Sequence, residues 1–340
     1  MRIGSRKILG FVLLVWMLGT ITVGMQTWLG DATIYSKSLE VKRETLHFAI
    51  LENKAPGGES WAAIGALSIQ KRVGVVYLAE GIRKNTGLAV GKIYKLLDSL
   101  FLFISLVGLF FYLRRWVPDV YCVQGVLYFC AVLPLTYFFQ LFHPWDRLQL
   151  AIWIGLLNLI VVPSYSLLAL GLVASIFVKF DTVLLPFFYL LVHFNKLHWR
   201  RVSIEFLGLL ILTFGTYFVV GALFPAPLDS SHFTWVGARA MLLSNAMTLI
   251  DMNVRYPPLL VFALPVVLSL LFIWSKPRFV WASVVFGLGL SAVHLLFTHY
   301  EEVRAHMVVL VLLLPSALLS LQHLQTSNDA SVAPPNVPGR

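Results

Sequence analysis

Long apolar runs separated by short polar stretches dominate the pattern of this 340-residue chain. A helix needs roughly 20 apolar residues to cross a hydrocarbon core, so repeated runs of about this length predict transmembrane helices. We predict such spans at 8–29, 96–113, 120–141, 148–162, 203–223, 258–275, 279–297 and 305–321. The pattern therefore predicts an all-α, polytopic integral membrane protein with about 8–10 transmembrane helices, once the ambiguous run 167–194 is included.

The run 167–194 carries two opposite charges at its midpoint, Lys179 and Asp181, in the stretch "IFVKFDTVLLPFF". It is either one tilted helix with charges inside the membrane or a broken pair, re-entrant or made of two short spans. Short basic clusters lie on the cytoplasmic side of membrane proteins. Here they are Arg2/Arg6/Lys7, Arg114-Arg115, Lys196/Arg200/Arg201 and Lys276/Arg278. The second and third clusters are both cytoplasmic only if an even number of crossings separates them. Spans 120–141 and 148–162 supply two, so the run 167–194 has to leave the cytoplasm and return to it. This favours the broken pair, with its tip and both charges outside.

This topology divides the chain into a single membrane domain, 1–323, and a polar, proline-bearing tail, 324–340. We predict a disordered cytoplasmic tail and a cytoplasmic N terminus, with 8–29 retained as the first span. The long external loop 30–95 contains stretches typical of amphipathic helices lying at the membrane interface. A second external loop covers 224–257 and is punctuated by prolines.

Composition supports the same class. The chain is 59% hydrophobic and only 12% charged, whereas soluble domains average about 25% charged residues. We attribute the net charge of +10 to the basic ends of the spans and predict no nucleic-acid partner. The two cysteines, Cys122 and Cys130, share one apolar run and indicate neither a disulfide framework nor a zinc site.

Candidate chemistry gathers on the predicted external side. Asp31 follows the first span and could act as a general base on a sugar hydroxyl, or could cap a helix at the interface. Asp146 and Arg147, in "HPWDR", either line a cavity or serve as a helix cap and its neighbour. Arg72 either contacts lipid phosphates or lies on an interfacial helix with its aliphatic stem on apolar surface and its guanidinium at the interface.

At a loop tip, Lys179 and Asp181 could converge, with Asp181 capping the half-helix that follows. The positive end of that half-helix, beside Lys179, would then bind an anion such as a phosphate. The alternative is a structural ion pair that stabilises a break in the helix.

The last span opens with "HYEEVRAH", where Glu301 and Arg304 are three residues apart and Glu302 and His306 are four apart. Each pair can share one helix face. Arg304 could bind a pyrophosphate, or the pairs could be interfacial ion pairs. A zinc site from His299, Glu302 and His306 is disfavoured because no fourth ligand matches, and we predict no metal site.

The order of these features resembles the polytopic C-type glycosyltransferase superfamily, which uses polyprenyl-phosphate sugars. It is most similar to bacterial members, including proteins of exopolysaccharide assembly. The stretches that carry the likeness are "GDATIY", "HPWDR", "VKFDTVLLPFFYLL" and "YEEVRAHMVVLVLLLP".

The resemblance implies an inverting glycosyltransferase or polysaccharide-assembly protein in a bacterial inner membrane. It implies that Asp31 deprotonates an acceptor and that a lipid-linked sugar is the donor, with the leaving phosphate neutralised by cations. The phosphate-binding residues would be Lys179, Arg304 and Arg72. The supporting residues would be Tyr35, Asp146, Arg147, Asp181, Glu301 and Glu302. The acceptor and any divalent-cation cofactor stay open.

Two other functions remain open, a transporter or flippase for a lipid-linked or anionic substrate and a non-catalytic membrane assembly subunit. Transporters commonly show internal repeats and charges near the midplane of the membrane. The sequence shows no repeat, and its charges cluster toward one face. This difference favours the transferase.

Overall fold

The computed structural model describes residues 5–29, 37–54, 72–137, 145–162, 164–194, 198–224, 235–250, 257–297 and 303–332. Within these ranges the chain forms 13 α-helices and no β-strand. The helices are α1 Ser5–Leu29, α2 Lys37–Leu51, α3 Val73–Thr86, α4 Val90–Leu113, α5 Asp119–Val132, α6 Trp145–Val161, α7 Tyr165–Ile176, α8 Leu185–His193, α9 Trp199–Leu223, α10 Trp235–Ile250, α11 Pro257–Leu270, α12 Arg278–Phe297 and α13 Val303–Val332. Short 3₁₀ turns cover Leu133–Tyr137, Phe180–Leu184 and Ile273–Ser275.

The length and composition of the helices confirm the predicted class. Five of them are long and apolar enough to cross a membrane, within α4, α9, α12, α13 and the continuous segment Asp119–Thr136. The lipid-facing character is clearest on α9, where Ile204, Ile211 and Phe218 are each about 70% exposed. Their seven-residue spacing places them on one side of the helix. The chain is therefore an all-α, multi-pass membrane protein with apolar surface available to lipid.

Helix α13 forms the centre of the assembly. Every side chain from His306 to Leu318 is buried, so this helix is covered on all sides. It packs against α11 and α12. The helix continues to Val332, into the segment for which the sequence predicted disorder, because extending an existing helix costs little and no proline occurs in 324–332.

The predicted loop 30–95 contains α2 and α3, which pack on the beginning of α4 through Ile50, Val75, Val76 and Ile93. A buried polar network holds these three helices together. His47 Nδ1 lies 2.8 Å from the Tyr94 hydroxyl, and His47 Nε2 lies 3.2 Å from Glu80 Oε2. Arg83 donates twice to the Glu80 carboxylate, at 2.7 and 2.8 Å.

The run 167–194 is broken as predicted. Helix α7 ends at Ile176, Lys179 is extended, and a 3₁₀ turn leads into α8. Pro186 lies in the first turn of α8, where its missing N–H is not needed, whereas a continuous helix would be disrupted there. The Ser175 and Thr182 hydroxyls are 2.6 Å apart across the break, and the Phe177 carbonyl accepts from Gly74 N at 2.6 Å. These bonds satisfy polar groups that the break releases.

The two arms of the broken run form a hairpin. Tyr165, at the start of α7, donates to the Glu205 carbonyl, and Tyr189, near the end of α8, donates to the Glu205 carboxylate. Both outer ends therefore lie at one level of α9. Phe180, at the tip, packs against Tyr217, about 18 Å further along α9 at 1.5 Å per residue.

The helical assembly has a basic end. Arg115 Nε donates to Asn158 Oδ1, near the end of α6, at 2.8 Å. Arg278 Nη2 donates to the Leu191 carbonyl, near the end of α8, at 3.1 Å, and Arg201 pairs with Glu205. The hairpin tip and the beginnings of α6 and α13 meet at the opposite end.

Candidate functional site at the hairpin tip

Four charged side chains from three separate parts of the chain meet at the hairpin tip. Lys179 Nζ lies 3.7 Å from Asp146 Oδ1 and 3.7 Å from Asp181 Oδ2. Arg304 Nη1 lies 3.3 Å from Asp146 Oδ2. We refer to Asp146, Lys179, Asp181 and Arg304 as the charged tetrad. All four were predicted as site residues, and the fold brings them together.

The tetrad is largely shielded from solvent. Its side chains are between 9% and 17% exposed. Coulomb attraction is stronger at such sites than in bulk water because the effective dielectric constant is lower. Two carboxylates balance two cations, which offsets part of the free-energy cost of burying each charge. In this conformation the tetrad forms a compensated network.

Helix α6 fixes the Asp181 side chain. Gln149 and Trp153 both donate to Asp181 Oδ1, the indole nitrogen from 3.2 Å. Gln149 also donates to the Lys179 carbonyl at 3.3 Å. Asp181 is therefore tied to α6, although the sequence predicted that it caps the helix after the break. Asp181 lies within the 3₁₀ turn Phe180–Leu184, and α8 begins only at Leu185, so the positive end of the half-helix does not start at Asp181.

Gln149 and Trp153 were missed by the sequence reasoning. A signal for them was present, because they follow Asp146 by three and seven residues and so share its helix face.

The tetrad borders a small polar cavity. Its wall includes all four charged residues together with Thr136, Arg147, Gln149, Leu150, Met307 and Val308. The predicted position of Arg147 in a cavity wall agrees with this geometry. The cavity measures about 20 Å³, which is close to the roughly 10–15 Å³ required by one water molecule. A phosphate group therefore needs an opening of this site before it can enter.

Arg72 lies behind the cavity. Its guanidinium carbon is 5.0 Å from the centroid of the Trp145 ring, a cation–π arrangement, and Trp145 is fully buried next to Asp146. Gly74, two residues further on, bonds to the hairpin tip through Phe177. A Cβ atom at position 74 would lie 3.0 Å from the Phe177 carbonyl oxygen, so this close approach favours glycine. Arg72 thus helps to seat α3 against the tip, one residue layer away from the tetrad.

The remaining predicted site residues lie outside the part of the chain that the structure describes. They are Asp31, Tyr35, Glu301 and Glu302. The predicted pairing of Arg304 with Glu301 therefore lies outside the described residues and stays a prediction, and among the described residues Arg304 contacts Asp146. The general-base role of Asp31 stays a prediction.

Two histidines are buried, His294 near the end of α12 and His306 near the beginning of α13. The rings of His294 and His306 are 5.2 Å apart between centroids. His299 and Glu302, the other members of the disfavoured zinc site, are outside the described ranges. Among the described residues, groups of three or more metal-binding side chains are absent.

Comparisons with protein families, with characterised proteins and with solved structures find no match to this chain. The resemblance to the C-type glycosyltransferases therefore remains a hypothesis, and the function has to be argued from the tetrad.

Proposed function

We propose that this chain is a membrane protein of lipid-linked glycan assembly that transfers sugars from polyprenyl-phosphate carriers. The supporting observation is the convergence of Lys179 and Arg304 on one carboxylate at one end of the helical assembly. A departing lipid phosphate develops negative charge, and preorganised cations that stabilise such charge commonly supply the largest catalytic contribution. Lys179 and Arg304 are suited to this task.

The proposal assigns the tetrad to the external face of the membrane. The basis is the positive-inside rule, since Arg115, Arg201 and Arg278 gather at the opposite end of the assembly. Both termini are then cytoplasmic, in a bacterial inner membrane.

Substrate entry requires a change at Asp146. In the closed arrangement its carboxylate occupies the position between the two cations that a phosphate needs. The phosphodiester of the donor carries one negative charge, as a carboxylate does, and it gains charge as it becomes the leaving phosphate monoester. Binding therefore exchanges Asp146 for the substrate, and the released Asp146 becomes available to orient the sugar. The acceptor is activated by Asp31.

Polyprenyl-phosphate binding to the purified protein in lipid nanodiscs tests this proposal. We expect Lys179→Gln and Arg304→Gln to weaken binding by about tenfold or more, since a charge-assisted hydrogen bond contributes roughly 1.5–3 kcal/mol. Arg200→Gln, an exposed cation at the basic end, is the matched control and should bind as the parent does. Parental affinity in both tetrad variants would contradict the proposal.

A second candidate, a non-catalytic assembly subunit, is favoured by one observation. The cavity is nearly filled and its charges are already compensated, as in a network that only stabilises the fold. Incubation with a radiolabelled polyprenyl-phosphate sugar and a glycan acceptor separates the two functions. Transfer that is lost in Asp31→Asn and in folded Lys179→Gln supports the enzyme, whereas phosphate binding without transfer supports the subunit.

A further inference from the structure

An apolar groove lies on a different part of the molecule, between the hairpin arm α8 and helix α12. Its volume is about 580 Å³, and its wall includes Leu184, Phe187, Phe194 and Leu290. The residues that border it are different from those that border the polar cavity. Phe187 and Val285 are 46% and 49% exposed, so the groove opens toward the lipid side.

A single cation marks one end of this groove among the described residues of its wall. Arg278 lies at the basic end of the assembly, at the beginning of α12. Its guanidinium donates to the Leu191 carbonyl from Nε at 3.3 Å and from Nη2 at 3.1 Å. A guanidinium carries five N–H donors, so further donors remain for a second acceptor. The exposed position of Arg278 makes these donors accessible.

The groove is elongated and carries its charge at one end. From Leu184 to Phe194 its wall is about 15 Å long at 1.5 Å per residue. Apolar side chains line this length, and Arg278 lies at the end that belongs to the basic end of the assembly. An acyl chain has the shape and polarity of this groove.

We propose that the groove binds an anionic glycerophospholipid, with one acyl chain between α8 and α12 and the headgroup phosphate on Arg278. Charge complementarity selects the anionic lipid, since Arg278 belongs to the basic end that faces anionic headgroups in the positive-inside orientation. The bound lipid packs the outer surface of the short arm α8, which is too short to span the bilayer. This site is independent of phosphate binding at the tetrad.

A larger side chain at Gly289 would block part of the groove. Gly289 lies in the groove wall on α12, where a Cβ atom would meet no neighbouring element within 4 Å. Gly289→Leu therefore places an isobutyl group in the groove from an uncrowded position and improves helix propensity. Gly155→Leu is the matched control, because Gly155 is an exposed helical glycine on α6 with equally open surroundings.

Native mass spectrometry of the protein with equimolar phosphatidylglycerol and phosphatidylcholine tests the proposal. We expect the parent and Gly155→Leu to retain phosphatidylglycerol preferentially. Arg278→Gln should lower this preference by roughly fivefold, as expected for one surface cation, while Arg200→Gln leaves it unchanged. Gly289→Leu should lose retained lipid of both kinds.

Two outcomes of these lipid-retention measurements would overturn the proposal. Equal retention in the parent, Arg278→Gln and Gly289→Leu overturns the proposal, and so does an equal loss in Gly289→Leu and Gly155→Leu. Competition with polyprenyl phosphate distinguishes the source of the phosphate. If polyprenyl phosphate displaces phosphatidylglycerol and requires Arg278, the site belongs to the substrate and the phospholipid proposal is overturned. Failure here leaves the Lys179 and Arg304 measurements unaffected.

Discussion

The indole Nε1 of Trp153 donates to the Asp181 carboxylate across 3.2 Å. This bond joins the middle of α6 to the hairpin tip. We expect Trp153→Phe to lower the free energy of unfolding by about 1.5–3 kcal/mol, the usual value for a hydrogen bond to a charged group. Thermal unfolding of the protein in detergent measures the change.

A second tryptophan provides the control. Trp116 stacks on Phe279 with ring centroids 4.9 Å apart, and its buried Nε1 has no hydrogen-bond acceptor among the described residues. Trp116→Phe loses similar volume but no described hydrogen bond, so it should destabilise the protein less. Equal losses in both variants would show that ring volume, and not the bond to Asp181, determines the effect.

Asp146 is the common partner of Lys179 and Arg304, so its neutralisation leaves Asp181 as the only carboxylate of the tetrad beside its two cations. We expect Asp146→Asn to cost up to about 3–5 kcal/mol of stability, the range observed when one partner of a buried ion pair is removed. The double variant Asp146→Asn/Lys179→Gln restores part of the charge balance. The loss of unfolding free energy in the double variant should therefore be smaller than the sum of the losses in the two single variants.

The pair Arg201–Glu205, whose arginine is exposed, calibrates this measurement. Arg201 is 79% exposed, and Arg201→Gln should cost only about 0.3–0.5 kcal/mol, as for other surface pairs at this helical spacing. If Asp146→Asn costs no more than this control, or if the double variant is strictly additive, the tetrad is not an energetically coupled unit.

The break in the run 167–194 was predictable because its causes are local. Two charges in an apolar run are costly inside a membrane, and Pro186 stands where a continuous helix would have to pass. The sequence predicts only that Asp146, Lys179 and Arg304 lie on the same side of the membrane, because basic clusters indicate the side of each loop. It does not predict that the three side chains contact one another. Which atoms bond is decided by tertiary packing.

Other features could not be predicted from periodicity. Tyr165 and Tyr189 meet at Glu205 only because the hairpin folds back against α9. Helix α10 occupies part of the segment 224–257 that was assigned to a loop. Its described side chains include few charged residues, so the sequence lacked the polar face that marks an interfacial helix.

Lys276 is buried between α11 and α13, although it belongs to the connection between α11 and α12. Its Nζ donates to Ser316 Oγ at 2.7 Å, Ser320 Oγ at 2.8 Å and the Ser269 carbonyl at 3.0 Å. Burial lowers the pKa of Lys276 from its ordinary value of 10.5 to about 8.

This lowered pKa predicts a rise of stability at alkaline pH. Between about pH 8 and pH 10.5 the unfolded chain holds a proton on Lys276 that the folded protein has released. Stability increases with pH wherever the unfolded state binds more protons. The difference in unfolding free energy between the parent and Lys276→Met should therefore shift in favour of the parent across this interval. A difference that is constant with pH would show that Lys276 titrates normally.

Glu80 should make the packing of α2 and α3 sensitive to acid. Hydrogen bonds from Arg83 are the main reason that the pKa of this carboxylate falls from 4.5 to about 2, with His47 contributing a further bond. The unfolded chain takes up a proton at higher pH than the folded protein does. The stabilisation is thus complete above pH 4.5 and is lost as the pH falls toward 2.

We expect Glu80→Gln to be less stable than the parent at neutral pH and to lose this part of the acid dependence. Unfolding measured between pH 6 and pH 2 tests the expectation, with Glu52→Gln, at an exposed position directly after α2, as the control. Because Glu80 is the carboxylate that joins His47 to Arg83, its loss should also loosen α3 from α2 and speed amide exchange in both helices. An acid profile of Glu80→Gln parallel to that of the parent would assign the sensitivity to another group.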